Sequence, residues 1–268
     1  MNKLILSILV LSNACAISLA AASDDMDKFK RTNTCIDCDL RNSKMQGADM
    51  TNANLSKSNL RDSLFKNTKL DNANLEQVDL RRTDLEKASL RGADLRAAIL
   101  RDTDLEKSIL NDANFEKADL RDADLENAVA NKASFKDADL RKANLKRGSF
   151  IHGNFEDAQL TEANLKRSIV RKANFKNAIM KNVRLTRADL TGTNFEDANL
   201  TFANFYRADL TNTTFEDANL DNATFWNANL SGADLSQANG LDAEQLTGAC
   251  GNSKTRLPRK LKVPECAE

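Results

Sequence analysis

An apolar residue returns every five positions from residue 40 to residue 235. Of the forty centres of this pattern, i, thirty-nine are Leu, Phe, Met or Val, and Ala130 is the exception. Two positions earlier, at i−2, every residue is small or compact: mostly Ala, otherwise Ser, Thr, Gly, Val or Cys38. Asp or Asn usually stands at i−1, while i+1 and i+2 are mostly charged or polar, as in Ala73-Asn74-Leu75-Glu76-Gln77. A period of five matches neither the helical 3.6 nor the strand period of 2. The chain must therefore turn a corner once per unit. Four such sides close a square coil of twenty residues with i and i−2 pointing inward, so the expected fold is all-β, a β-solenoid. About ten coils stacked at a strand spacing of about 4.8 Å give a rod roughly 50 Å long.

Residues twenty apart should then stack and share chemistry, and they do. Phe115, Phe135, Phe155, Phe175, Phe195 and Phe215 form one column, and Leu40, Leu60, Leu80, Leu100, Leu120, Leu140 and Leu160 another. Ala130 is followed in its column by Phe150, a missing side chain beside an oversized one, which reads as volume compensation within one core. Outside, Arg41, Arg61, Arg81, Arg101, Arg121 and Arg141 share a column, with Asp62, Asp102 and Asp122 one position on, in the manner of a satisfied charge lattice.

These units resemble those of the pentapeptide repeat proteins, whose A-(D/N)-L-x-x motif covers all forty units here. The resemblance implies a right-handed quadrilateral β-helix and a defined corner turn, neither of which the periodicity supplies. It brings no catalytic motif. Some members look like acidic rods that imitate duplex DNA and block topoisomerases. The expected organisation is a signal peptide over 1–22, an N-terminal cap over 23–39, the repeat solenoid over 40–239, and a cap helix with a disulfide-tied tail over 240–268.

The N-terminus reads as a secretory signal: Lys3, an apolar run from Leu4 to Leu11 broken by Ser7, then small residues. Cleavage fits after Ser18-Leu19-Ala20 or Ala20-Ala21-Ala22, giving a mature start near Ala21 to Ser23. An uncleaved anchor is disfavoured because Ser12, Asn13 and Ser18 interrupt a barely sufficient span. Lipidation at Cys15 is a minor alternative, because the context lacks the usual aliphatic residue three before the Cys. The expected location is the periplasm or outside the cell, with no transmembrane span in the mature chain.

Cysteine usage agrees with export. Cys35, Cys38, Cys250 and Cys266 flank the repeat body, and opposite ends of a long rod cannot meet, so Cys35–Cys38 and Cys250–Cys266 are the expected bonds. Cys-x-x-Cys is also a redox or zinc motif, but no helix N-terminus, His ligand or second Cys-x-x-Cys accompanies it. At the C-terminal side, Asp242-Ala243-Glu244-Gln245 predicts a capping box opening a short helix to about Ala249, after which the tail continues as irregular chain.

Composition narrows the function classes. A chain of 268 residues with 29% charged and 41% hydrophobic residues is neither disordered nor a multi-pass membrane protein. One His, His152, leaves almost no room for His-based catalysis, and it reads as a surface residue. The net charge is zero but segmented: 17 basic against 19 acidic residues over 41–140, 12 against 4 over 141–190, and 1 against 9 over 191–250. A DNA mimic needs continuous negative charge, and the middle segment opposes it. That segment contains a candidate basic band, Lys146, Arg147, Lys166, Arg167, Arg171, Lys172 and Arg187, suited to an acidic polysaccharide or lipid headgroup, or simply a solvated face partly paired with Glu156, Asp157 and Glu162. Tyr206 and Trp226 share an outward column, with Phe202 on an adjacent corner, as a candidate partner surface or as a shield for the last coils. Ile109, Val129 and Ile169, with Ile151 nearby, give a weaker interface hint.

Two inward side chains per side fill the interior, so no substrate cavity is expected and neither is a cofactor or a catalytic site. The expected function is that of a non-enzymatic exported rod binding an envelope protein or glycan through its surface, with no nucleic-acid partner. The alternative is a structural or self-assembling spacer, a homo-oligomer formed through the C-terminal end or the charge segments. A DNA-mimic topoisomerase inhibitor ranks third.

Overall fold

A computed structural model describes residues 24–258 and 260–267. The predicted leader and Cys15 lie outside the described residues. From Thr34 onward, parallel bridges join each unit to the one twenty residues later, beginning with Thr34↔Asn54 and Asp39↔Asn59 and running to Asn219↔Asn239. The repeat of twenty makes each coil four-sided, because four five-residue units intervene between stacked partners. Every centre from Met50 to Leu235 is buried. Among the described residues no helix is long and apolar enough to cross a membrane.

The five-residue unit follows from a complete accounting of its backbone N–H groups. The N–H of i bonds the next coil, as Leu100 N does to the Asp119 carbonyl at 2.7 Å. The N–H of i+2 does the same, as Lys107 N does to Glu126. The N–H of i−1 bonds the coil before, as Asp119 N does to Ala98, and that of i−2 closes the turn, as Ala98 N does to Leu95. One donor per corner is left, the N–H of i+1. The Asp or Asn at i−1 accepts it: Glu86 N donates to Asp84 Oδ1 at 2.9 Å and Glu116 N to Asn114 Oδ1 at 3.0 Å. This Asx turn is the reason for the recurrent acid or amide before each apolar centre.

Three exceptions to the rule are repaired from the coil below. Ser89, Val129 and Ser149 stand where an Asx is expected; Arg91 N then donates to Asp71 Oδ1, Asn131 N to Asn111 Oδ1 and Ile151 N to Asn131 Oδ1, all between 2.8 and 2.9 Å.

Each corner also needs a left-handed residue. Every i+2 position from Asp37 to Gly232 has positive φ, between 53° and 70°. With a 4→1 hydrogen bond across the corner, a positive φ at the third position is the type II signature. Gly, Asn and Asp fill more than half of these sites, and no β-branched residue occupies any, as the steric penalty requires.

Inside, the coil spacing dictates the aromatic geometry. Phe115, Phe135, Phe155, Phe175, Phe195 and Phe215 stack with centroids 4.6–5.3 Å apart and nearly parallel rings. Phe150 crosses the core and sets its edge against Phe135 and Phe155 at 6.2 and 6.0 Å. The room comes from Ala130 below it and from Gly148, where an added Cβ would lie 2.6 Å from the Phe150 ring.

The ends are covered. Residues 24–32 form a helix that buries Phe29 and packs Met26 on the first coil, and Asp25 accepts from Asp39 N at 2.9 Å. At the other end the expected capping box is present: Asp242 N donates to Gln245 Oε1 and Gln245 N to Asp242 Oδ1. The helix expected to follow it is not. Residues 243–248 form turns, because the chain is drawn back into the coil when the Gln245 carbonyl accepts from Phe225 N and left-handed Gly248 ends the segment. Nor is the tail irregular throughout: Asn229↔Cys250 and Asp234↔Arg256 bridges continue the ladder at a lengthened register, and a Gly251↔Glu265 bridge folds the tail back on itself.

Leu120→Asp places a charge among fully buried side chains and is expected to abolish the cooperative thermal transition. Asn131→Asp keeps the acceptor for Ile151 N and should change stability by no more than about 0.5 kcal/mol, whereas Asn131→Leu strands that donor and should cost about 1 kcal/mol or more. Gly148→Ala should destabilise by about 1–3 kcal/mol and be relieved by Phe150→Leu, as measured by denaturant unfolding of the single and double variants.

Candidate functional site

With the interior filled, the chemistry of this chain is on its corners and faces. The structure bonds Cys35 to Cys38 and Cys250 to Cys266. Asp25 lies within 4.8 Å of the first pair, but both sulfurs are tied in the disulfide, so this group is a staple of the N-terminal cap.

Most outward charges over 41–140 are neutralised locally. Arg41, Arg81, Arg121 and Arg141 each fold back on the Asx-turn carboxylate of their own corner, Asp39, Asp79, Asp119 and Asp139. The stacked column Glu86, Glu106 and Glu126 is held by Lys66 and Lys87, by Lys107, and by Lys146 with Arg147. Hydrogen bonds from Lys66 and Lys87 hold Glu86 at a pKa of about 2. Burial alone would raise Asp119, but hydrogen bonds from Arg121 and Arg101 outweigh it and bring it to about 2. Asp104 is the opposite case: burial, joined by the stacked Asp84 and Asp124, pushes its pKa up.

The candidate basic band divides into paired and unpaired residues. Lys146 and Arg147 share Glu126, at 2.9 and 3.4 Å, and Arg171 pairs with Asp189 at 2.6 Å. Glu156 and Asp157 are engaged by Lys136 instead of the band. Among the described residues Lys166, Arg167, Lys172 and Arg187 make no ion pair. Arg171 and Lys172 stand on a different corner from the rest.

The structure joins two groups that the sequence reading kept apart. Lys146, Lys166, Thr186, Tyr206 and Trp226 occupy one corner column, and Arg147, Arg167, Arg187 and Arg207 the column beside it. Backbone hydrogen bonds fix this stacking: Arg147 N to Lys166 O, Arg167 N to Thr186 O, Arg187 N to Tyr206 O and Arg207 N to Trp226 O, at 2.9–3.0 Å. The basic band and the aromatic pair are thus one continuous corner, about 19 Å long over four coil steps. Trp226 is 47% exposed, and the four arginines are exposed. Phe202, 55% exposed, stands on the preceding corner, and no ring pair links it to Tyr206 or Trp226 among the described residues. The face between those two corners carries Asn144, Asn164, Arg184 and Asn204 in register. An open depression of about 480 Å³ on it is lined by Lys142, Glu162, Asn182 and Arg184. Arg207 and Arg184 escaped the sequence reading, although counting by twenties places both. His152 is an exposed corner residue, and of Ile109, Val129 and Ile169 only the last is exposed.

Family comparison agrees with the geometry. A model described as Pentapeptide repeats matches in eight copies between residues 88 and 250, and a second, Pentapeptide repeat region, matches residues 28–95. The chain belongs to the pentapeptide repeat family. Among solved structures it is similar to HetL, a pentapeptide repeat protein involved in heterocyst differentiation regulation from the cyanobacterium Nostoc sp., at 30% identity over 79% of this chain and 94% of that one, with a TM-score of 0.43. It is also similar to a pentapeptide repeat protein from the Arabidopsis thaliana thylakoid lumen, at 31% identity over 34% of this chain and 63% of that one, with a TM-score of 0.33. QnrB1, a plasmid-mediated fluoroquinolone resistance protein, aligns at 17% identity over 80% and 91% of the two chains with a TM-score of 0.29. No curated protein matches.

The pKa shifts set two outcomes in thermal melts. Glu86 and Asp119 are lowered in the folded state, so their stabilisation is complete above the unfolded carboxylate value of about 4 and is lost as pH falls towards 2. Asp119→Asn should flatten that acid-side fall. Asp104 is raised, so its charge opposes folding at neutral pH; Asp104→Asn keeps an acceptor for Glu106 N and should raise the midpoint by about 1–3 °C at pH 7.

Proposed function

We propose that this chain is an exported, non-catalytic rod that binds a protein or glycan partner through its outer surface. The observation that carries this reading is the core. Every centre from Met50 to Leu235 is buried along with nearly all the small residues beside them, which leaves recognition to the corners and faces. The right-handed winding implied by the family resemblance is part of the reading. Two disulfides, one at each end of the solenoid, support an oxidising compartment. A DNA-imitating inhibitor is disfavoured by the 12 basic and 4 acidic residues of 141–190. End-to-end self-assembly is disfavoured by the helix over the first coil and the tail over the last.

The test is fractionation of a host producing the full chain, sequencing of the recovered N-terminus, and passage of the recovered rod over immobilised envelope proteins and polysaccharides. Recovery outside the cytoplasm with a start at residues 21–23 and a retained ligand is expected. A cytoplasmic, unprocessed chain that retains nothing would refute the proposal.

A further inference from the structure

We propose that the corner running from Lys146 to Trp226 binds a linear acidic polysaccharide, an inference that rests on the surface-binding reading above and names the ligand class for it. Three observations converge. First, the corner is a straight row. Arg147, Arg167, Arg187 and Arg207 repeat once per coil, locked by the backbone hydrogen bonds between successive corners, so the site presents cations along a line, as an extended polymer requires.

Second, all of those arginines but Arg147, which shares Glu126 with Lys146, are available. In the acidic column below, Glu86, Glu106 and Glu126 are each paired, but Lys166, Arg167, Arg187 and Arg207 have no carboxylate within ion-pair distance among the described residues. A planar guanidinium with free donors matches a carboxylate or sulfate bidentately.

Third, the neighbours are those that sugar hydroxyls and ring faces use. Tyr206 and the exposed Trp226 continue the row upward, offering flat apolar surfaces with polar edges. On the adjoining face Asn204 is exposed, and its amide nitrogen has no partner among the described residues. The row is a convex corner two residues wide, which gives a flat membrane little contact. The coils around its upper end hold 9 acidic residues against Arg207 alone over 191–250, which would repel a polyphosphate chain more than a glycan with sparser charge.

The corner residues allow a clean test, because Asn is favoured in the left-handed conformation that Arg167, Arg187 and Arg207 adopt. Replacing all three by Asn removes charge without threatening the coil. Titration calorimetry of the full chain would use polygalacturonate, fully methyl-esterified polygalacturonate and a thymidine oligonucleotide as probes, at low and high salt. Saturable binding of polygalacturonate over the other two is expected, weakened at least tenfold by R167N/R187N/R207N and by Trp226→Ala, and unchanged by K117N/K132N on other corners. Salt should weaken the wild type more than the triple variant.

Equal binding by the triple variant, preference for the oligonucleotide, or no binding of polygalacturonate would each overturn the assignment. Circular dichroism and melting confirm that each variant is folded. If the triple variant retained the same envelope ligand as the wild type, the corner would be wrong and the surface-binding reading would stand; if the wild type retained none, that reading itself would fail.

Discussion

The structure depends on one constraint: a coil that closes in twenty residues must satisfy five N–H groups per side while turning sharply four times. Ladder and turn bonds take four of them. The fifth, at i+1, is met at most Asx corners by the short acceptor at i−1, and at Arg91, Asn131 and Ile151 by one from the coil below. An unpaired amide repeated at forty corners would be a heavy burden on a marginally stable chain. The Asx position is therefore as much a part of the fold as the Leu and Phe ladder.

From that constraint the division of labour follows. Inward positions are fixed by volume, so that Ala130, Gly148 and Phe150 vary together. The i−1 positions are fixed by hydrogen bonding, and i+2 by a left-handed backbone that excludes β-branched residues. The i+1 and i+2 side chains, and at exposed i−1 sites such as Asn204 the donor the turn leaves unused, remain free for recognition. The rod displays those positions as vertical columns whose spacing the backbone sets, so charges and aromatic rings become rows without any loop to position them. In the lower coils the rows cancel. In the coils from Lys146 to Trp226 they do not.

Much of this was legible in the sequence because the fold is one-dimensional. Period five, sorted by twenties, gives the core ladder, the four sides and the compensation at Phe150. The solenoid's beginning was less legible, since Thr34 and Asp39 bridge before the first Leu of the pattern. So was its end. Asp242 and Gln245 form the reciprocal capping bonds of a helix start, yet the pull of the coil through the Gln245 carbonyl and the disulfide from Cys250 to Cys266 turn the segment back into the ladder. Local capping chemistry lost to tertiary pairing there. The candidate surface was half visible: the basic residues and the aromatic pair stood out, but their union on one corner, with Arg207 between them, required following the column across the change from basic to acidic composition.

The most direct measurement of the central claim uses the single Trp of the chain, Trp226, which sits at the upper end of that corner. Its emission during titration with an acidic polysaccharide reports the corner itself. A saturable shift that salt reverses, absent with the neutral esterified polymer, is the result the account predicts. Emission that stays unchanged while the polysaccharide binds would place recognition elsewhere on the rod and contradict it.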